Sequence, residues 1–217
     1  MKKFLRISIL SLLFIVASNS LVAKTENFKL TKITEGLKSP WSLSFINQNE
    51  ILITEKSGNI IYFNLEKQEP KNIKHNLKIL EKGQGGLLDI LYRNKKVFVS
   101  YSENRGDRES STSIAKGEFN KNKINFKNIF RAEPPIRGGY HFGSRLAIKD
   151  NYLFASVGER GQGMIAQDAT KHPGSIIRIH LDGSIPKDNP RFKGKEDWLP
   201  EIYQIGVRNP QGLTLSP

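Results

Sequence analysis

Four glycine-rich stretches hold the residues whose types and spacing could support chemistry, at positions 82–86, 138–145, 158–163 and 206–212. In the second stretch, His141 lies between glycines and the aromatic residues Tyr140 and Phe142, which predicts an imidazole exposed enough to meet a substrate. A free imidazole titrates near about pH 6.5, so this residue type suits general-base catalysis at neutral pH. Because a lone histidine is more often structural, the pattern alone indicates only a candidate base.

The other stretches supply hydrogen-bonding groups. Gln84 offers a donor and an acceptor in a loop whose glycines let a ligand approach the backbone. Arg208 presents a planar fork of N–H donors suited to a carboxylate or quinone oxygen, and Asn209 adds a neutral donor. Tight turns and a surface arginine are the alternative interpretation. The third stretch superficially resembles a dinucleotide-binding fingerprint, but no helix is predicted after it, so that match is rejected.

No metal site is predicted in this segment. The chain has no cysteine, and its four histidines, His75, His141, His172 and His180, are too scattered for zinc spacing. The turn at residues 182–184 followed by Asp188 lacks the calcium-loop pattern of an EF-hand.

Short strands must position these stretches, because from residue 30 onwards apolar and polar residues alternate between Gly, Asn or Asp turns. Three segments share a plan of strand, polar turn and β-branched strand, and a fourth only begins it: 42–54, 87–101, 145–157 and 212–215. Further strands are predicted over residues 59–65, 113–119, 124–131 and 174–181. A meander repeated every 45 to 70 residues or so predicts an all-β propeller rather than a β-sandwich. Since the fourth unit lacks a partner strand, we expect the propeller to be incomplete.

The net charge of +13 invites a nucleic-acid interpretation. The positive residues are spread over predicted polar turns, for example at Lys71, Lys74 and Lys95, and no block reaches the about five or six like charges of a basic tail. A basic, solvated surface is therefore favoured, and no nucleic-acid partner is predicted.

Residues 1–23 are predicted to be a cleavable signal peptide, followed by a partial propeller domain over residues 24–217. Lys2, Lys3 and Arg6 form its positive region, and the apolar run after them is shorter than the about 20 residues of a spanning helix. No cysteine follows that could carry a lipid. We expect a periplasmic or secreted protein without a stable membrane anchor.

The same segments, taken in order, resemble the N-terminal part of one family, the soluble aldose dehydrogenases of the glucose/sorbosone type that depend on pyrroloquinoline quinone (PQQ). No single piece is specific, but their order and spacing are, and they cover nearly all of residues 24–217. The matching pieces include Pro40-Trp41-Ser42-Leu43, Gly83-Gln84-Gly85-Gly86-Leu87-Leu88-Asp89, His141-Phe142-Gly143-Ser144-Arg145-Leu146, Ala166-Gln167-Asp168, Asp188-Asn189-Pro190 and Arg208-Asn209-Pro210-Gln211-Gly212-Leu213.

The resemblance implies a six-bladed propeller, of which this chain holds about the first half. It implies that His141 is the general base for the sugar's anomeric hydroxyl, while hydride passes to the quinone and the aldose becomes a lactone. By the same resemblance, His141, Arg208 and Asn209 contact the cofactor, and Gln84 lies beside both sugar and quinone. The calcium ligands of the family are expected beyond Pro217, so this segment alone is predicted to be inactive.

Two positions depart from the family pattern, and several alternatives stay open. Tyr140 replaces the usual Asn or Asp before the histidine, which is expected to affect sugar recognition, and Ser144 replaces a glycine and is expected to crowd its loop. The alternatives are a non-catalytic envelope propeller that binds glycans or a protein, an inactive fragment, and a calcium-dependent propeller hydrolase. The electron acceptor is not identified.

Overall fold

A computed structural model describes residues 28–191, 194 and 196–216. The signal peptide predicted over residues 1–23 lies outside the described residues. The chain divides into the units Met1–Lys32 and Ile33–Pro217. The described part of the first unit, residues 28–32, contains no helix or strand.

The described residues of the second unit form short strands and a single 3₁₀ turn, Gly163–Gln167. No helix in the described part of the chain is long and apolar enough to cross a membrane. The strands are β1 (Pro40–Asn47), β2 (Glu50–Glu55), β3 (Ile60–Asn64), β4 (Glu69–His75), β5 (Leu87–Arg93), β6 (Lys96–Gly106), β7 (Glu109–Glu118), β8 (Lys123–Ile124), β9 (Lys127–Arg131), β10 (Ile136–Arg137), β11 (Gly143–Lys149), β12 (Tyr152–Val157), β13 (Ser175–His180) and β14 (Ile202–Ile205).

The strands form three antiparallel sheets, each a meander that serves as one propeller blade. The blades are β1-β2-β3-β4, β5-β6-β7-β9 and β11-β12-β13-β14. Strand β8 extends the first blade in parallel with β4, and β10 pairs with the start of β7. The arrangement confirms the predicted all-β, incomplete propeller.

The core lies between the blades, and strand alternation explains it. In β6, Val97, Val99 and Tyr101 join the apolar cluster shared with the first blade, whereas Phe98 joins the cluster shared with the third. Successive side chains of a strand point to opposite faces, so one strand feeds both interfaces. Burying each such large side chain contributes about 1.5–3 kcal/mol, which holds adjacent blades together.

A hydroxyl on the second strand of each blade donates a hydrogen bond to a backbone carbonyl in the segment of chain that follows that blade. Each of these hydroxyls occupies the same register position of its blade, which supports the repeat predicted from the sequence. The bonds run from Thr54 Oγ1 to Leu88 O at 2.6 Å, from Ser100 Oγ to Ser144 O at 2.5 Å and from Ser156 Oγ to Pro210 O at 2.7 Å. We call these three bonds the interblade pins.

Two features of the predicted strand pattern are wrong. The strand expected over residues 212–215 is irregular, because no neighbouring strand in the described chain pairs with it. Strand β4, which contains Lys71 and Lys74, was expected to be a polar turn. It is an outer strand with only Ile73 buried, so its sequence lacks the alternation that marks a strand.

Candidate active site

The four glycine-rich stretches meet at one end of the blades through backbone hydrogen bonds. Gln84 N–H donates to Gly139 O at 2.7 Å, and Glu159 N–H donates to Arg208 O at 2.8 Å. Glycine is required where the backbones touch, since a Cβ on Gly158 would lie 2.1 Å from the carbonyl oxygen of His141. The glycines therefore allow loops from different blades to pack closely around His141.

His141 is held by Glu159, a carboxylate at the start of the third stretch. His141 Nδ1 lies 2.7 Å from Glu159 Oε1 and 2.9 Å from Oε2, and Glu159 is only 3% exposed. The backbone N–H of Gly161 also donates to Oε2. A carboxylate only accepts, so Nδ1 carries the proton and Nε2 of the neutral ring carries the lone pair. No hydrogen bond to Nε2 is formed within the described part of the chain, so this nitrogen is placed to accept a proton.

Gln84 and Asn209 are oriented by backbone donors. Gln84 Oε1 accepts from the N–H of His141 at 2.9 Å, and Asn209 Oδ1 accepts from the N–H of Gly143 at 3.0 Å. Because both amide oxygens are occupied, both NH₂ groups are available to a ligand, and neither has a partner among the described residues.

Arg208 and Tyr140 border the same site. The Arg208 side chain is 79% exposed, and its Nε lies 3.8 Å from Glu159 Oε1. Tyr140 is also exposed, and its ring stands edge-on to the imidazole of His141 with 6.3 Å between ring centroids. The structure thus brings together all five predicted site residues: Gln84, Tyr140, His141, Arg208 and Asn209.

Ser144 adopts a backbone conformation that favours glycine. Its backbone has a φ of 75°, in the left-handed region that favours glycine. The buried hydroxyl donates to the carbonyl of Phe142 at 3.1 Å, so the serine occupies the loop with its polar group satisfied.

Sequence reasoning missed Glu159 and Arg160 as site residues. Arg160 is 3% exposed, and its guanidinium lies over the ring of Phe142 at 3.8 Å. Burial lowers the pKa of Arg160 to about 10, the nearby Glu159 opposes this shift, and the group stays charged at neutral pH. A usable signal existed, since an acidic and a basic residue lie between glycines just after the end of a largely apolar strand.

A polar cluster joins the inner strands beside this site. Asp89 is buried and accepts hydrogen bonds from the N–H of Leu146 at 2.7 Å, from Arg145 at 3.1 Å and from the hydroxyl of Ser42. These partners come from different blades, so the carboxylate links all three.

A family model described as "Glucose / Sorbosone dehydrogenase" matches residues 37–217. The chain belongs to the glucose/sorbosone dehydrogenase family. This finding confirms the resemblance to the N-terminal part of soluble PQQ-dependent dehydrogenases, and it places the His141 site within a glucose/sorbosone dehydrogenase propeller.

Several relatives extend the family assignment. The chain is 32% identical to the aldose sugar dehydrogenase YliI of Escherichia coli (strain K12), over 94% of this chain and 57% of the relative. It is 29% identical to quinoprotein glucose dehydrogenase B of Acinetobacter calcoaceticus, over 90% of this chain and 47% of the relative. A crystal structure of a glucose dehydrogenase superposes with a TM-score of 0.82 and 34% identity, over 86% of this chain and 57% of that one. The chain therefore spans about half the length of the curated relatives it matches.

Proposed function

We propose that the natural full-length protein oxidises aldose sugars to lactones, with PQQ as cofactor and His141 as general base. One observation carries the proposal: Glu159 pairs with Nδ1 of His141, which leaves the Nε2 lone pair without a donor in the described chain. The side chains of Gln84 and Asn209 bind the backbone of the same loop, and Arg208 lies beside Glu159. A glycan-binding propeller has no need for a base oriented in this way. The predicted signal peptide would place the enzyme in the periplasm or outside the cell.

The donor set at the site suits an anionic, planar quinone. Gln84 and Asn209 present NH₂ groups whose oxygens are already occupied, and Arg208 adds an exposed guanidinium. All three groups donate hydrogen bonds to oxygen acceptors such as carboxylates and carbonyls. When bound, PQQ supplies the two-electron chemistry by accepting a hydride from the anomeric carbon of the sugar.

The protein's own residues handle the proton. His141 Nε2 accepts the proton of the anomeric hydroxyl, so the sugar oxygen becomes the carbonyl oxygen of the lactone as the hydride leaves the carbon. Glu159 stabilises the imidazolium that forms and keeps the ring oriented, while the N–H of Gly161 holds the carboxylate in place. Tyr140 offers an exposed aromatic face at the edge of the site for contact with the sugar ring.

Replacement of the base tests this function. In the full-length protein, His141→Ala is expected to lower aldose-dependent dye reduction by about 10²–10⁴-fold, the usual contribution of a positioned general base. The Kd for PQQ, measured by equilibrium binding, is expected to change little. Retained turnover would remove His141 from this role. Sugar binding without any reduction of dye by the PQQ-loaded wild-type protein would instead favour a non-catalytic propeller.

The calcium requirement and the electron acceptor stay predictions. Within the described ranges, no group of three or more His, Asp or Glu side chains could hold a metal ion. The calcium ligands are expected beyond Pro217, and dialysis of the full-length protein against a chelator is expected to weaken PQQ binding.

A further inference from the structure

The buried guanidinium of Arg160 binds the loop that carries His141. Its three nitrogens contact five oxygen atoms, all of them close enough for hydrogen bonds. These are Nε to Tyr140 O at 3.0 Å, Nη1 to Ser110 O at 2.6 Å, and Nη2 to Ser110 Oγ at 3.1 Å, to Gly138 O at 3.2 Å and to Ile136 O at 3.3 Å. Three of the acceptors belong to residues 136–140, and the other two belong to β7 of the second blade.

Arg160 contacts the chain on both sides of His141. It binds the carbonyl of Tyr140 just before the histidine, and its guanidinium lies 3.8 Å from the ring centre of Phe142 just after it. Its own backbone N–H donates to the carbonyl of His141 at 3.2 Å. The histidine therefore has a contact with Arg160 at each neighbouring residue and at its own backbone.

This support is needed because the loop adopts an unfavourable backbone conformation. His141 has a φ of 49° and Arg160 itself a φ of 61°, both in the left-handed region that non-glycine residues rarely adopt. Such conformations persist only where surrounding contacts enforce them. Without those contacts, the histidine would relax and its ring would leave Glu159.

We propose that Arg160 is a positioning residue, which holds residues 136–142 so that Nδ1 of His141 meets Glu159 and Nε2 faces the substrate. This inference rests on the function proposed above. The guanidinium is buried and fully engaged with protein oxygens, so it acts through the loop and not on the substrate.

Lysine cannot replace this arrangement, although it keeps the charge. Its ammonium is a single point with three donors, whereas the acceptors of Arg160 surround a planar fork on several sides. Arg160→Lys would keep the bond to one acceptor group, for example Ser110, and lose the bond to Tyr140. The residue before His141 would then be free to move.

The chain offers a matched control in Arg178. This arginine is also buried, lies 3.9 Å from the ring centre of Tyr152 and pairs with Asp188 at 3.0 Å. Among the described residues, none of its contacts involves the His141 loop. Arg178→Lys therefore reports what the loss of a buried guanidinium does to this fold in general.

The first measurement uses the cofactor-free, full-length protein with ¹⁵N-labelled histidine, and the His141 signals are assigned by their loss in His141→Ala. We expect wild type and Arg178→Lys to show the single tautomer with the proton on Nδ1, and Arg160→Lys to show a mixture of tautomers. A single, wild-type tautomer in Arg160→Lys would overturn the proposal. This readout needs no turnover, so it still tests Arg160 if the protein proves not to oxidise aldoses.

The second measurement is the kinetics of the PQQ-loaded enzyme. Arg160→Lys is expected to lower kcat about 100-fold, the effect of a misplacement of about 1 Å, with a smaller change in KM. It is also expected to change the shape of the pH profile of kcat/KM, whereas Arg178→Lys keeps the wild-type profile. Equal losses in the two variants would assign Arg160 a purely structural role.

A milder variant keeps the test valid if Arg160→Lys fails to fold. Ser110→Ala removes a single acceptor, the Oγ at 3.1 Å, and leaves the carbonyl bond of Ser110 in place. We expect an intermediate effect on both readouts, with a detectable second tautomer and a kcat loss of a few fold. Wild-type behaviour in both readouts would contradict the proposal.

Discussion

Two histidine–glutamate pairs occur in the part of the chain that the structure describes, and they use opposite nitrogens. His141 presents Nδ1 to Glu159 at 2.7 Å, and 14% of its side chain is exposed. His172 presents Nε2 to Glu201 at 3.1 Å, and 5% of its side chain is exposed. In addition, the backbone N–H of Glu133 donates to Nδ1 of His172 at 2.9 Å.

The difference shows what leaves one nitrogen of a buried imidazole without a protein donor. In both pairs a ring nitrogen lies within about 3 Å of a glutamate oxygen, at 2.7 Å for His141 and at 3.1 Å for His172. In His172 the remaining lone pair is occupied by a backbone N–H, and the ring packs edge-on against Phe130 with 5.0 Å between centroids. In His141 the remaining lone pair has no protein donor in the described chain. The backbone contact, and not the carboxylate, distinguishes a structural histidine from a candidate catalytic one.

The largest contrast is expected when each glutamate becomes glutamine. In Glu159→Gln the N–H of Gly161 would bind the amide oxygen, so the NH₂ group would donate to Nδ1 and the ring proton would move to Nε2. We expect kcat of the full-length enzyme to fall by about 10²–10⁴-fold, because the lone pair that accepts the substrate proton is lost. Glu201→Gln is the matched control and is expected to keep wild-type kcat. Equal effects on dye reduction would show that the two pairs do not differ as described.

The next contrast concerns the free energy of unfolding, for which replacement of His172 should have the larger effect. His172→Asn would leave the N–H of Glu133 and the Glu201 carboxylate unpaired in a buried place, at a cost of about 2–4 kcal/mol. His141→Asn should cost less than about 1 kcal/mol, since asparagine tolerates a positive φ and its amide can still meet Glu159. Urea unfolding of the cofactor-free protein measures both. A larger loss for His141→Asn would contradict this assignment of roles.

The smallest effect is expected in acid. Burial acts to raise the pKa of Glu201, but the nearby His172 and a backbone N–H outweigh it, and the pKa lies below the ordinary 4.5. A carboxylate with a lowered folded-state pKa stabilises the fold above about pH 4.5, and this contribution is lost as the pH falls. Urea unfolding from pH 6 down to about pH 3 should therefore show a shallower loss of stability in Glu201→Gln than in wild type. If the stability of wild type and of Glu201→Gln fell in parallel with pH, ionisation of Glu201 would make no contribution to stability.

The parts of the molecule that follow local rules were predictable from the sequence. Alternating apolar residues marked the inner strands, and glycine-rich loops marked the site, because Gln84, His141 and Arg208 all lie where loops must approach closely. Strands β4 and β14 were not predicted, since an outer strand is exposed and its sequence resembles a turn. Glu159 was read as part of a loop, because its pairing with His141 depends on contacts between loops that no local pattern encodes.

The role of each histidine was also beyond the sequence. His141 and His172 both occur near glycine, and neither neighbourhood reveals which ring nitrogen meets a backbone N–H. The ring nitrogen that is used depends on how the segment after β9 packs against the third blade. The hydrogen bond from Glu133 N–H to His172 Nδ1 is part of that packing.

In all three interblade pins the donor hydroxyl precedes the acceptor carbonyl in the sequence, so it is synthesised first. Each hydroxyl precedes its acceptor by 34, 44 or 54 residues, so its bond cannot form until the later segment that holds the acceptor has been made. At about 5–20 residues per second, each newly made blade waits roughly two to ten seconds for that partner. Within the described part of the chain, the order of synthesis therefore sets the order in which these bonds can form.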